Sequence, residues 1–126
     1  MAENPLVGLS FQVTAIVEHG QNVPIVEGTA PAITFRETSF YAETGCNRLR
    51  GAYEVDRGGH FVGSEIIQTM MKCDQPRTDQ QHRILGVLAG QPSIELASGS
   101  LTFSTDTSAL HGQATRAEHD SSDDYI

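Results

Sequence analysis

Five histidines, several carboxylate pairs and two cysteines are the side chains in this sequence able to do chemistry. His19, His60, His82, His111 and His119 are scattered along the chain. None stands in the close ligand spacing of a zinc site, so surface positions beside turns and on a helix are expected, and no metal. His119 with Asp120, Asp123 and Asp124 offers a weak cation at most. Glu54 with Asp56, or Glu37 with Glu43, could serve as acid and base only if burial shifted one pKa, and nothing in their surroundings signals burial. There is no G-x-S-x-G elbow and no phosphate-binding G-x-x-x-x-G-K loop. These readings predict a noncatalytic protein without cofactor. Cys46 and Cys73 lack C-x-x-C redox spacing and are too few for structural zinc unless histidines join them. They leave two states open, a structural disulfide or two reduced, buried thiols.

The elements that must position these groups are mainly strands. In residues 6–18, Val7, Leu9, Phe11, Val13, Ala15 and Val17 occupy alternate positions, which places an apolar face on a principal strand. His19-Gly20-Gln21-Asn22 supplies turn chemistry, and Val23 to Pro31 reads as a loop or short edge strand because proline disfavours central pairing. Residues 32–35 and 39–42 form a hairpin pattern. A second spans Leu49–Val55 and a return strand beginning at His60-Phe61-Val62, turning at Asp56-Arg57-Gly58-Gly59. Ser93–Leu96 and Leu101–Phe103 flank a third turn, and Thr107–Gln113 is a last strand. Thr78 is placed to cap a helix over roughly residues 79–89, with Ile84, Leu85 and Leu88 on its buried face. Together these patterns predict a mainly β, α+β domain: an antiparallel sheet or partly closed barrel with one short helix packed on it.

The chain of 126 residues is 38% hydrophobic and carries 16 acidic against 8 basic residues, for a net charge of −8. One domain is expected over residues 1–113, followed by an acidic tail at 114–126 without packed structure. A strongly acidic surface repels nucleic acid and anionic membrane. No apolar run approaches the roughly 20 residues needed to span a bilayer. Met1-Ala2-Glu3-Asn4-Pro5 lacks the basic and apolar regions of a secretory signal, which fits either a cytosolic protein or a mature form without its leader.

The run Gly45-Cys46-Asn47-Arg48-Leu49-Arg50-Gly51-Ala52-Tyr53, then Thr69-Met70-Met71-Lys72-Cys73, then a helix carrying Ile84-Leu85-Gly86-Val87-Leu88, resembles the META domain, also called HslJ-like. The opening Leu6-Val7-Gly8-Leu9-Ser10-Phe11 is similar to the family's Leu-x-Gly-x-aromatic strand, with Phe11 where tryptophan is usual. Gln81 stands where the family often has Glu. The resemblance implies a periplasmic or secreted, heat- or stress-related protein with no catalytic residues, acting by protein binding. It also implies a Cys46–Cys73 disulfide. Gly45, Asn47, Gly51, Tyr53 and Thr69 then have structural roles, while Asn47, Arg48 and Arg50 could present a contact surface beside the cysteine loop. The alternative is a small inhibitor of a secreted or periplasmic hydrolase that inserts residues 19–31 or 56–60 into a cleft.

Overall fold

Alternating apolar residues build the first long strand, but its bounds and phase differ from the simple pattern. The computed structural model describes residues 4–116, in which β1 runs Leu9–Glu18. Ahead of it the chain turns at Gly8, whose φ is +83°. This turn reverses the expected orientation of its flanks, so Leu6 is fully buried and Val7 is 39% exposed. A β-bulge between Val13 and Ala15 shifts the phase again. Phe11 and Val13 point inward before it and Ile16 after it, leaving Ala15 and Val17 half-buried.

The remaining strands follow in chain order as β2 (Gln21–Val23), β3 (Ala32–Phe35), β4 (Ser39–Glu43), β5 (Arg48–Val55), β6 (Phe61–Gln68), β7 (Ser93–Ala97), β8 (Ser100–Ser104) and β9 (Ser108–Arg116). The spatial order is β6-β5-β4-β3-β1-β9-β8-β7, with β2 paired to β1. Every pairing is antiparallel. The two ends of that path approach each other. His60 bridges to Ser93, Phe61 N donates to Pro92 O at 2.9 Å and Ile94 N donates to Gly59 O at 3.0 Å. The sheet is thus a partly closed barrel whose seam, among the described residues, is stitched around His60 and Ser93.

The last strand is longer than expected. Ala114, Thr115 and Arg116 pair with Phe11, Ser10 and Leu9, so the ordered domain passes 113 because β1 offers partners to its own N-terminal end. Of the acidic tail, residues 117–126 lie outside the described residues.

One helix, α1 (Gln75–Ala89), packs against β6, β8 and β9. It begins four residues before the expected 79, and its cap is Asp74 rather than Thr78. The Asp74 carboxylate accepts from Arg77 N at 3.1 Å, and Pro76 sits in the first turn, where its fixed φ suits helix entry. Thr78 instead donates its hydroxyl back to Asp74 O at 3.0 Å. The helix buries Gln80, Gln81, Ile84, Val87 and Leu88, while Leu85 only packs at the margin.

The barrel interior is aromatic. Phe11, Phe35, Phe40, Phe61 and Phe103 are all fully buried. Phe11 stacks on Phe103 at 5.5 Å, Phe103 lies 5.7 Å from Phe35, and Tyr53 stacks on Phe61 at 5.1 Å. Each such ring removes a large apolar area from water and adds about 0.5–1.5 kcal/mol through ring geometry.

Candidate functional site

The segment between β4 and β5 and the segment entering α1 are fastened together by a covalent bond and one amide side chain. Cys46 and Cys73 form a disulfide with their Cα atoms 5.9 Å apart. Beside it, Asn47 Oδ1 accepts from Thr69 Oγ1 at 2.9 Å and from Met71 N at 2.6 Å, while Nδ2 donates to Met71 O at 3.3 Å. Its backbone N donates to Gln81 Oε1 at 2.8 Å, and Arg48 N donates to Thr69 Oγ1 at 3.1 Å. Asn47 is buried and its amide is spent inside the fold. It therefore presents no contact surface, correcting the expectation that grouped it with Arg48 and Arg50. A buried amide with both ends paired pins chain to chain.

The glycines and tyrosine of these motifs occupy crowded places. Gly45 has φ +95°, and a Cβ there would lie 2.8 Å from Gln80 Nε2 and 2.9 Å from Thr29 Cβ. Gln80 needs that approach, because its Nε2 donates to Thr44 O at 2.8 Å and to Thr29 Oγ1 at 3.0 Å. Gly51 sits at the β5–β6 bulge between Arg50 and Ala52, where a Cβ would meet Ser64 O at 2.9 Å. The Tyr53 hydroxyl donates to Arg36 O and accepts from Asn4 Nδ2 at 3.0 Å. Burial is the main reason its pKa is raised, the Asn4 bond working against it and Glu37 with it.

Groups that suggested chemistry are dispersed. His82 and His111 are exposed on α1 and β9, and His19 lies in the β1–β2 turn. His119 falls outside the described residues. Asp56 closes the β5–β6 turn: its Oδ1 accepts from Gly58 N at 3.0 Å and His60 N at 2.9 Å and faces His60 Nδ1 at 3.2 Å. The His60 backbone amide is the chief cause of its lowered pKa. Glu54 and Glu37 are exposed. Glu43 faces Arg48 at 3.0 Å and accepts from the Tyr41 hydroxyl at 3.1 Å. Burial first, and then this bond, raise the Tyr41 pKa. No cluster of three or more His, Cys, Asp or Glu able to hold a metal occurs among the described residues.

The two segments considered for insertion into a cleft are both anchored. Residues 19–31 are tied to α1 through Val26 N, which donates to Gln80 Oε1 at 2.8 Å. Residues 56–60 fold around the Asp56 carboxylate.

A different surface emerges on the outer face of β4, β5 and β6. The register sets Tyr41 opposite Arg50, and Arg50 opposite Ile67, so the three side chains form one row across the strands. Tyr41 is 38% exposed and Ile67 60%, with Met70 at 86% and Met71 at 62% just beyond β6. A groove of about 490 Å³ is lined by Arg36, Tyr41, Arg50, Glu65 and Ile67 among others. A smaller one of about 260 Å³ continues it through Tyr41, Arg50 and Ile67 to Arg48 and Thr69. Arg50 lines both grooves and Arg48 the smaller one, while the exposed Tyr41, Ile67, Met70 and Met71 were not singled out from the sequence. A signal was present in the adjacent pair Ile66-Ile67, whose members face opposite sides of an extended chain, whereas Met70 and Met71 follow β6 outside regular structure and are both exposed.

The META domain family profile matches residues 4–117. The chain belongs to the META domain family. Three solved structures share the fold of this META domain. An NMR structure of a protein from Burkholderia xenovorans superposes with a TM-score of 0.74 at 18% identity, covering 92% of this chain and 94% of that one. A second NMR structure gives 0.69 at 21% identity, with 90% and 95% covered. The crystal structure of a DUF4847 family protein from Bacteroides vulgatus gives 0.62 at 11% identity, with 86% and 94% covered. At these identities the likeness establishes the fold alone. No curated protein matches the chain. The META disulfide is consistent with an oxidising compartment, and no described helix is long and apolar enough to cross a membrane.

Proposed function

We propose that this META domain is a noncatalytic, periplasmic or secreted module that supports stress tolerance by binding another protein through the outer face of β4, β5 and β6. The observation carrying this reading is the row of exposed Tyr41 and Ile67 on either side of Arg50, with exposed Met70 and Met71 following β6. Exposed apolar residues gathered on one margin mark interaction sites, and tyrosine, methionine and arginine are the types enriched in interface cores. The disulfide supports an extracytoplasmic setting, since thiols in most cytosols stay reduced.

The test is capture from envelope extract with a photo-crosslinking residue placed at Ile67, compared with the same residue at His111 on β9, away from Met70 and Met71. One discrete partner crosslinked from position 67, and lost in Met71→Glu, is the expected result. Equal products from both positions would oppose the reading. So would hydrolysis of a generic ester, peptide or glycan by the purified protein that His60→Ala removes.

A further inference from the structure

We propose that the groove between Arg36 and Arg50 takes an acidic linear segment of a partner protein, with a carboxylate between the two guanidinium groups and an adjacent apolar side chain on Tyr41 and Ile67. This deepens the protein-binding reading and rests on it. Among the described residues, Arg36 and Arg50 differ from three other arginines in facing no carboxylate, and from Arg57, which also faces none, in lining a groove. Arg48, Arg77 and Arg83 each face a carboxylate, from Glu43, Asp74 and Glu18 respectively. Arg36 and Arg50 have no such ion pair among the described residues, yet both line one groove of about 490 Å³. In a chain of net charge −8, a groove lined by two arginines and one glutamate is a local positive excess against an acidic background.

The walls define the rest of the ligand. Tyr41 and Ile67 flank Arg50 on either neighbouring strand, which gives an apolar floor on both sides of a fork-shaped donor. Arg pairs best with a carboxylate when both its N–H groups are engaged, and an aromatic neighbour restricts where that fork points. Glu65 lines the same groove, so the pocket suits discrete carboxylates placed away from that residue. A continuous polyanion would run from the groove onto the acidic remainder of the surface, which disfavours nucleic acid and anionic lipid. Pairing of a partner strand with the β6 edge is opposed by the protein itself. Glu65 has φ +52° beside the β5–β6 bulge, and a bulged, charged edge resists continuous strand addition. Recognition therefore falls to side chains rather than to a new ladder of backbone hydrogen bonds.

Fluorescence anisotropy with a labelled peptide alternating glutamate and phenylalanine tests this, using its glutamine-for-glutamate counterpart as control. The intact oxidised protein is expected to bind the glutamate peptide at least tenfold more tightly. Arg50→Glu and Arg36→Glu should each lose tenfold or more, Arg50→Gln somewhat less, and Arg57→Glu, in the β5–β6 turn outside the groove, less than twofold. Unchanged circular dichroism in the variants shows that the fold is kept. Equal affinity for the two peptides, or the same loss in Arg57→Glu as in Arg50→Glu, overturns the proposal. Tighter binding to phosphatidylglycerol vesicles or to single-stranded DNA than to the glutamate peptide also overturns it, as does self-association through this face in sedimentation. If the peptide arms fail while position 67 still crosslinks one partner, the partner chemistry is wrong and the protein-binding function stands.

Discussion

Breaking the Cys46–Cys73 bond is the perturbation whose size follows most directly from the structure. The bridge joins residues 27 apart in sequence. In the chain-entropy model a loop of that length removes about 12 cal/mol/K from the unfolded ensemble, or about 3.5 kcal/mol at 25 °C. Roughly 110 ordered residues at about 2.1 cal/mol/K each give an unfolding entropy near 0.23 kcal/mol/K, so reduction should lower Tm by about 15 °C. Asn47 continues to hold Thr69 and Met71 after reduction, so the native loop should keep its place and the loss should come mainly from the freed unfolded chain. Differential scanning calorimetry of the oxidised protein, the reduced protein and a Cys46→Ser, Cys73→Ser double variant measures this. All three should unfold in one transition, the last two nearly together and well below the first. A drop of less than about 3 °C would refute the entropic reasoning. Two freely alkylated cysteines in unreduced protein taken from its native compartment would remove the bond and the case for export with it.

Other substitutions probe the remaining fastenings. Asn47→Ala removes the acceptor of the Met71 amide and the Thr69 hydroxyl, and should cost about 1–2 kcal/mol in urea unfolding; Asn47→Asp should recover part of this if the acceptor oxygen dominates. Gly112→Ala should prevent folding or cost more than about 3 kcal/mol, because a Cβ there would stand 1.9 Å from Gln12 O across the β1–β9 pair. Gly86→Ala should do the opposite, raising stability by about 0.5–1 kcal/mol, since nothing lies within 4 Å of the added carbon and helix propensity improves. Asp56 has a lowered pKa in the fold, so its contribution is present above its ordinary value of 3.8 and is lost as pH falls through the folded value. The Tm gap between the wild type and Asp56→Asn should therefore narrow on acidification below about pH 4, and a constant gap would show that the charge is irrelevant.

The alternation of Leu9, Phe11 and Val13, the glycine-bearing turns and the β-branched hairpins were sufficient to predict an antiparallel sheet with one helix, because period and turn chemistry are local properties. The paired motifs around Cys46 and Cys73 likewise carried the family and the disulfide. Several features depended on partners far away in the chain. The bulge near Thr14 exchanges which residues of β1 face the core, and it arises from register against β9. Arg116 belongs to a strand only because Leu9 lies opposite it. Asp74 displaced Thr78 as the cap once Pro76 was accommodated in the first turn. Asn47 was given both a structural and a contact role from the sequence, and it is buried because Thr69, Met71 and Gln81 satisfy its polar groups. The candidate binding face shows the same division. Arg48 and Arg50 were visible as charged residues, but their row with Tyr41 and Ile67 exists only through cross-strand register, which no local pattern encodes.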